Sequence, residues 1–320
     1  MNPRALLLCT LLSLISFFSL VKMAAGQAKS SASPASATAQ PDIAALKKIA
    51  EGGDVQAQSL LGLDYMTGNG VAQDFKEAVR WYLAASAKGS ADAQFSMGYL
   101  YEQGKGVSRD YLQAMTNYTA AARQGHAIAE NNLGSMYEDG RGVARNMNEA
   151  ARYYRASAEH GNPVGQSNLA SLYFLGNGVT QDYSEAARWF RAAADQGFAP
   201  AQDNLASLYN SGSGVPRDYV EAAKWAQRAA EQGYARAQTD LGFLYEQGRG
   251  VPLDYVSAYM WYGSAAAGGD ERSRARMKEL SRLMTRRQIA EARSRAAHSA
   301  PQSASLPGIQ LPGASFVERY

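Results

Sequence analysis

Ala93-Gln94-Phe95-Ser96-Met97-Gly98-Tyr99-Leu100-Tyr101-Glu102-Gln103-Gly104-Lys105-Gly106-Val107-Ser108-Arg109-Asp110-Tyr111 is one copy of a pattern that returns every 36 residues along the chain. Tyr65, Tyr101, Tyr137, Tyr173, Tyr209 and Tyr245 keep that spacing, and so do Val71, Val107, Val143, Val179, Val215 and Val251, each after a Gly-x-Gly triplet. A third series, Gly89, Gly125, Gly161, Gly197, Gly233 and Gly269, closes each unit. A fixed period of this size signals an array of small units that bury their apolar faces only by stacking.

Each unit reads as two antiparallel helices. Ala57, Gln58, Leu61, Gly62 and Tyr65 share one helical face and predict a first helix over 55–65. The small residue at Gly62, repeated as Gly98, Gly134, Ala170, Ala206 and Gly242, lets a neighbouring helix come close. Gly-x-Gly-Val then breaks the helix, since glycine adopts left-handed backbone angles at little cost. Asp74, Asp110, Asn146, Asp182, Asp218 and Asp254 are placed to cap the second helix. Glu77, Gln113, Glu149, Glu185 and Glu221 follow three residues later, so a capping box is expected in five of six units, with Ser257 breaking the pattern. Ala78, Trp81, Tyr82 and Ala85 form the buried stripe. Asn117 and Ala226 replace aromatics found in sister units, which predicts weaker second and fifth units. A half unit, Ile43 to Glu51, covers one end of the array. At the other end, a helix over 271–284 puts Met277, Leu280 and Met284 on one face, and Thr285 with Gln288 opens a last helix to about Ala297.

The quoted stretch closely resembles the Sel1-like repeat, a relative of the tetratricopeptide repeat. Tetratricopeptide units have a period of about 34, so the constant 36 and the Gly-x-Gly-Val loop favour the Sel1-like branch over roughly residues 42–297. The resemblance implies an all-α, right-handed α-solenoid of six helix-turn-helix repeats, about 54–89, 90–125, 126–161, 162–197, 198–233 and 234–269, with a half-repeat N-cap and C-terminal capping helices. It also implies surfaces presented to other proteins, in a family that no catalytic residue defines.

Outside the array, residues 1–26 read as an export signal: Arg4 starts it, Ala5 to Val21 is apolar, and Ala24-Ala25-Gly26 supplies small residues for cleavage. Cleavage is expected after Gly26, with Ala28 second. The alternative is an uncleaved inner-membrane anchor over residues 5–21; both outcomes place the repeats outside the cytoplasm, in the periplasm or beyond. Residues 27–41 read as a flexible Ser/Ala linker, 270–298 as basic capping helices and 299–320 as a disordered tail.

Composition narrows the chemistry. Of 320 residues 46% are apolar and 19% charged, which excludes disorder as the overall state. Cys9 is the single cysteine and lies inside the signal, so disulfide frameworks, thiol catalysis and cysteine-ligated metals are excluded from a cleaved chain. His126, His160 and His298 lack the spacing of a helical metal pair and read as solvated junction residues. No metal site, cofactor or catalytic residue is expected. A cysteine-rich secreted branch of the Sel1-like family is associated with binding or hydrolysis of penicillin-like compounds, chemistry that needs Ser with Lys three residues on. The lone Ser-x-x-Lys here, Ser19 to Lys22, lies inside the signal, and that branch's cysteine pairs are missing.

Charge is uneven: Arg272 to Arg295 holds nine basic residues against Glu279 and Glu291, a balance of +7. That stretch reads as a solvated cap, or as a basic end that meets an anionic surface. Nucleic acid is not expected as a partner outside the cytoplasm, nor is a membrane span after cleavage, and a monomer is expected. By analogy with tetratricopeptide arrays the first helices line a concave groove. Positions opposite the packing face offer Phe95, Tyr99, Phe174 and Phe243 as exposed aromatics, or as contacts to the adjacent unit, and Asn131, Ser135, Ser171 and Asn210 as hydrogen-bonding groups for an extended backbone. The function expected is an exported non-catalytic scaffold or adaptor holding a peptide or helix of a protein partner. The alternatives are a cell-wall-active hydrolase or muropeptide binder, and a secreted factor aimed at a host.

Overall fold

A computed structural model describes residues 43–299. The expected export signal (1–26), the linker (27–41) and all but the first residue of the expected tail (299–320) lie outside the described residues. Those residues form fifteen helices and divide into two compact units, 43–160 and 161–299. The division falls at the junction of the third and fourth repeats.

The first unit contains α1 (Ile43–Glu51), α2 (Val55–Thr67), α3 (Phe75–Ala87), α4 (Ala91–Gln103), α5 (Tyr111–Ala122), α6 (Ala127–Asp139) and α7 (Met147–Glu159). The second contains α8 (Pro163–Leu175), α9 (Tyr183–Asp195), α10 (Ala199–Ser211), α11 (Tyr219–Glu231), α12 (Ala235–Gln247), α13 (Tyr255–Ala267), α14 (Glu271–Leu280) and α15 (Arg286–Ser299). Within each unit a second helix packs on the first helix of its own repeat and on that of the next.

The caps explain the uniform helix ends. Asp74 sits in extended backbone and its carboxylate accepts from Lys76 N–H and Glu77 N–H; Asp110, Asn146, Asp182 and Asp218 act alike. The other half of the expected capping box is replaced. Asp74 N–H donates to Tyr65 O at 2.9 Å, tying the second helix back to the first, and the same bond recurs in the other five repeats. The freed carboxylates of Glu77, Glu149, Glu185 and Glu221 pair instead with Arg80, Arg152, Arg188 and Lys224 one turn on. A reciprocal box does form at α15, where Thr285 N–H donates to Gln288 Oε1 and Gln288 N–H to Thr285 Oγ1.

Packing inside each repeat turns on one close approach. A Cβ added at Gly62, Gly98, Gly134 or Gly242 would lie 2.6–2.9 Å from the ring of Tyr82, Tyr118, Tyr154 or Tyr262. Only a residue without a side chain fits beneath those rings. Where the small position is Ala170, the facing ring is Phe190, and where it is Ala206 the facing residue is Ala226.

Both ends are covered. Ala50 of α1 joins Ala57, Leu61 and Trp81 in one cluster. Leu280, Met284 and Ala292 close the other end against Val256, Tyr259, Met260 and Tyr262. Helix α14 stops at Leu280, short of the expected Met284, and a turn carries Met284 into that core.

Candidate interaction surface

The first helix of each pair is more enclosed than its sequence suggests. Within each unit it is flanked by its own second helix and the preceding one and has little free face. Phe95 is 1% exposed and Tyr99 4%, so both are core residues and not the exposed aromatics expected. The Phe95 ring stacks on His126 with centroids 4.7 Å apart and meets Tyr118 at 5.8 Å, which makes it a contact to the adjacent repeat. Asn131 is buried as well. His126, expected as a solvated junction residue, is largely buried: its Nδ1 accepts from Ala129 N–H and caps α6. His160 is half exposed and bonds Glu130 at 2.8 Å. Among the described residues no group of three or more His, Cys, Asp or Glu side chains is arranged to hold a metal ion.

The remaining candidates are partly buried. Ser135 Oγ accepts from Arg141 at 2.7 Å. Ser171 Oγ donates to Ser167 O of its own helix, so its hydroxyl hydrogen is spent locally. Phe174 meets Tyr183 edge-on at 5.2 Å. Phe243 lies 5.6 Å from the Arg249 guanidinium.

Two recurrent devices stand on this face. Tyr118, Tyr154 and Tyr262 donate their hydroxyls to Glu102, Glu138 and Glu246 at 2.6–2.7 Å, the carboxylate coming from the last turn of the first helix. Burial pushes the Glu138 carboxyl above its usual range, and the Tyr154 hydrogen bond only partly offsets this. The second device is the variable residue of Gly-x-Gly. Lys105 sits over the rings of Phe75 and Tyr99, Arg141 pairs with Glu102 and Ser135, and Arg249 lies over Tyr219 and Phe243. Sequence reading treated these triplets as turns and missed the side chain between the glycines. Its variation, Asn69, Lys105, Arg141, Asn177, Ser213 and Arg249, was the available signal.

The fifth repeat differs. Ala226 takes the place of the ring, and a cavity of about 80 Å³ remains, lined by Ala206, Ser207, Asn210, Ala226, Asp240 and Phe243 among others. Two of the expected site residues, Asn210 and Phe243, therefore meet at one rim. Asn210 Oδ1 is buried without a hydrogen-bond partner. Deeper in the same helix Asp203 is fully buried, with Arg236 Nε 2.9 Å from its Oδ2. Burial outweighs that guanidinium and pushes the Asp203 carboxyl up to about 7.

At the basic end, Arg276 pairs with Glu246 and Arg295 with Asp254, which fastens α14 and α15 to the sixth repeat, while Arg274–Glu271, Arg276–Glu279 and Arg295–Glu291 pair within one helix. Lys278, Arg282, Arg286, Arg287 and Arg293 are exposed. Among the described residues no helix is long and apolar enough to cross a membrane.

Tandem helix pairs with glycine-broken loops and capped second helices define an α-solenoid repeat protein. Residues 55–90, 91–126, 127–162, 163–198, 199–234 and 235–270 each match the Sel1 repeat. The chain belongs to the Sel1 repeat family. Among solved structures it is similar to a Sel1 repeat protein from Oxalobacter formigenes, with 30% identity, TM-score 0.61, and coverage of 71% of this chain and 97% of that one. It is also similar to a protective antigen of uropathogenic Escherichia coli displaying an SLR fold, with 29% identity, TM-score 0.44, and coverage of 80% and 78%. An immunity protein from Pseudomonas aeruginosa matches at 20% identity, TM-score 0.40, and coverage of 89% and 90%. No curated protein matches the chain. Sel1 repeat proteins generally mediate protein–protein interaction and are generally non-catalytic scaffolds.

Proposed function

We propose that this chain is an exported, monomeric, non-catalytic adaptor that holds a peptide or helix of a protein partner in the cell envelope or outside the cell. One observation carries the binding part of this reading. The repeated residues are consumed by packing and capping, whereas Ser207, Asn210, Asp240 and Phe243, at positions that vary between repeats, stay partly exposed around one cavity. Invariant positions of an array build its frame, and variable exposed ones are free to specialise. Export rests on the sequence of residues 1–26. The basic residues of α14 and α15 add a second surface, suited to anionic envelope material.

Affinity capture from a cell-envelope fraction, with the intact chain and an Asn210→Ala/Phe243→Ala variant, tests the reading. A protein captured by the first and lost with the second supports it. Capture of glycan fragments alone, or turnover of a cell-wall substrate by purified protein, would sink it. Fractionation of cells tests export, with the chain expected outside the cytoplasm.

A further inference from the structure

The chain contains its own template for what the fifth-repeat cavity accepts. In repeats one, two, three and six the equivalent space is filled by Tyr82, Tyr118, Tyr154 and Tyr262, and in repeat four by Phe190, all buried. Ala226 removes that ring, and a cavity lined by Ala206, Ala222 and Ala226 stands beside it. The floor of the cavity is apolar, with Ala206, Ala222 and Ala226 buried, and its rim is polar, with Ser207, Asn210 and Asp240. Asn210 occupies the position of Glu102, the group that accepts the Tyr118 hydroxyl, and its Oδ1 is the acceptor left without a donor. An acceptor buried in this way costs free energy until a donor reaches it.

We propose that this cavity receives the side chain of a tyrosine presented by a protein partner, ring over Ala206 and hydroxyl donating to Asn210 Oδ1. The proposal rests on the adaptor reading above. The hydroxyl acceptor stands where Glu102 accepts the Tyr118 hydroxyl, but Ala206 carries a methyl where Gly98 has none, so the ring, now coming from another chain, lies farther out than Tyr118 does. A volume of about 80 Å³ is less than the roughly 150 Å³ that encloses benzene in an engineered cavity. The rim is partly exposed, however, so the ring enters edge-first and its outer carbons rest between Ser207 and Phe243. Phenylalanine would fill the same space and leave Asn210 unpaired, so the site discriminates between the two rings.

The test uses p-cresol and toluene as the side chains alone, titrated into the full chain and followed by methyl NMR of Ala222 and Leu244. Saturable shifts confined to these methyls are expected, with p-cresol roughly five-fold tighter than toluene. Ala226→Phe, which copies the Ala170–Phe190 pair, should abolish them; Ala206→Gly/Ala226→Tyr, which copies the Gly98–Tyr118 pair, should do the same if the first variant folds poorly. No saturable shift, equal binding of toluene, or shifts that survive in a folded filled variant would overturn the proposal. In the capture experiment, a partner retained equally by wild type and Ala226→Phe overturns the cavity assignment and leaves the adaptor reading intact. No partner with either protein defeats the adaptor reading itself.

Discussion

Replacing Gly98 by Ala places a methyl where the Tyr118 ring already stands. The added Cβ would lie 2.6 Å from Tyr118 Cδ1, against roughly 3.5–4.0 Å for relaxed carbon contacts, so the ring must retreat by about 1 Å. Retreat is opposed on two sides. The ring is fully buried, and its hydroxyl is held by Glu102 Oε2 at 2.6 Å. Overpacking of this kind costs about 1–3 kcal/mol, and alanine returns about 0.5–1 kcal/mol as the better helix former. Loosening the bond to a charged carboxylate adds about 1.5 kcal/mol, for a net loss on the order of 2 kcal/mol. Deuterium exchange of the α4 and α5 amides reads this locally, and the expected acceleration is about thirty-fold. Exchange in Gly98→Ala as slow as in wild type would refute the close-approach reasoning.

Gly250 combines φ +72° with a position where an added Cβ would collide with Tyr219 O of the preceding repeat, whereas Gly197 has φ +86° and nothing within 4 Å. Gly197→Ala should therefore lose only the roughly 1–2 kcal/mol of left-handed backbone, and Gly250→Ala clearly more; urea unfolding that ranks them equal contradicts the packing role. Asp203 keeps its proton in the folded chain up to about pH 7, while an unfolded aspartate releases it near 4. The folded state binds more protons between those values, so stability should fall as pH rises from about 4 to about 7, and Asp203→Asn should flatten that fall in melts recorded across the range. The lost ring of the fifth repeat should also show as faster exchange in α10 and α11 than in α12 and α13; equal protection would contradict a weak fifth repeat.

The array was legible because its signals are local. A period of 36, left-handed glycines at helix ends and aspartates at helix starts act within a few residues of themselves. The site was less legible because its burial is set by neighbours. Phe95 and Tyr99 lie opposite the intrarepeat packing face, where a lone amphipathic helix meets water, yet here the preceding second helix and the next repeat's His126 cover that side. The Tyr118–Glu102 bond joins positions sixteen apart on two helices, a pairing that helical periodicity does not display. Once seen, it can be read across the repeats: Glu accompanies Tyr in repeats two, three and six, Phe174 accompanies Phe190, and Asn210 accompanies Ala226. The capping boxes failed by half for a similar reason, since the N–H that Glu77 was expected to hold is already given to Tyr65 O.

Site-specific photocrosslinking tests the adaptor role most directly. A benzophenone side chain placed at Phe243, beside the cavity, and at Leu112, an exposed control 66% accessible on the first unit, is activated in cells that make the full chain. A single protein adduct at position 243, absent at 112 and lost when Ala226→Phe is added, is the expected result. Equal adducts at both positions, or none at 243, would contradict a partner held at the fifth and sixth repeats.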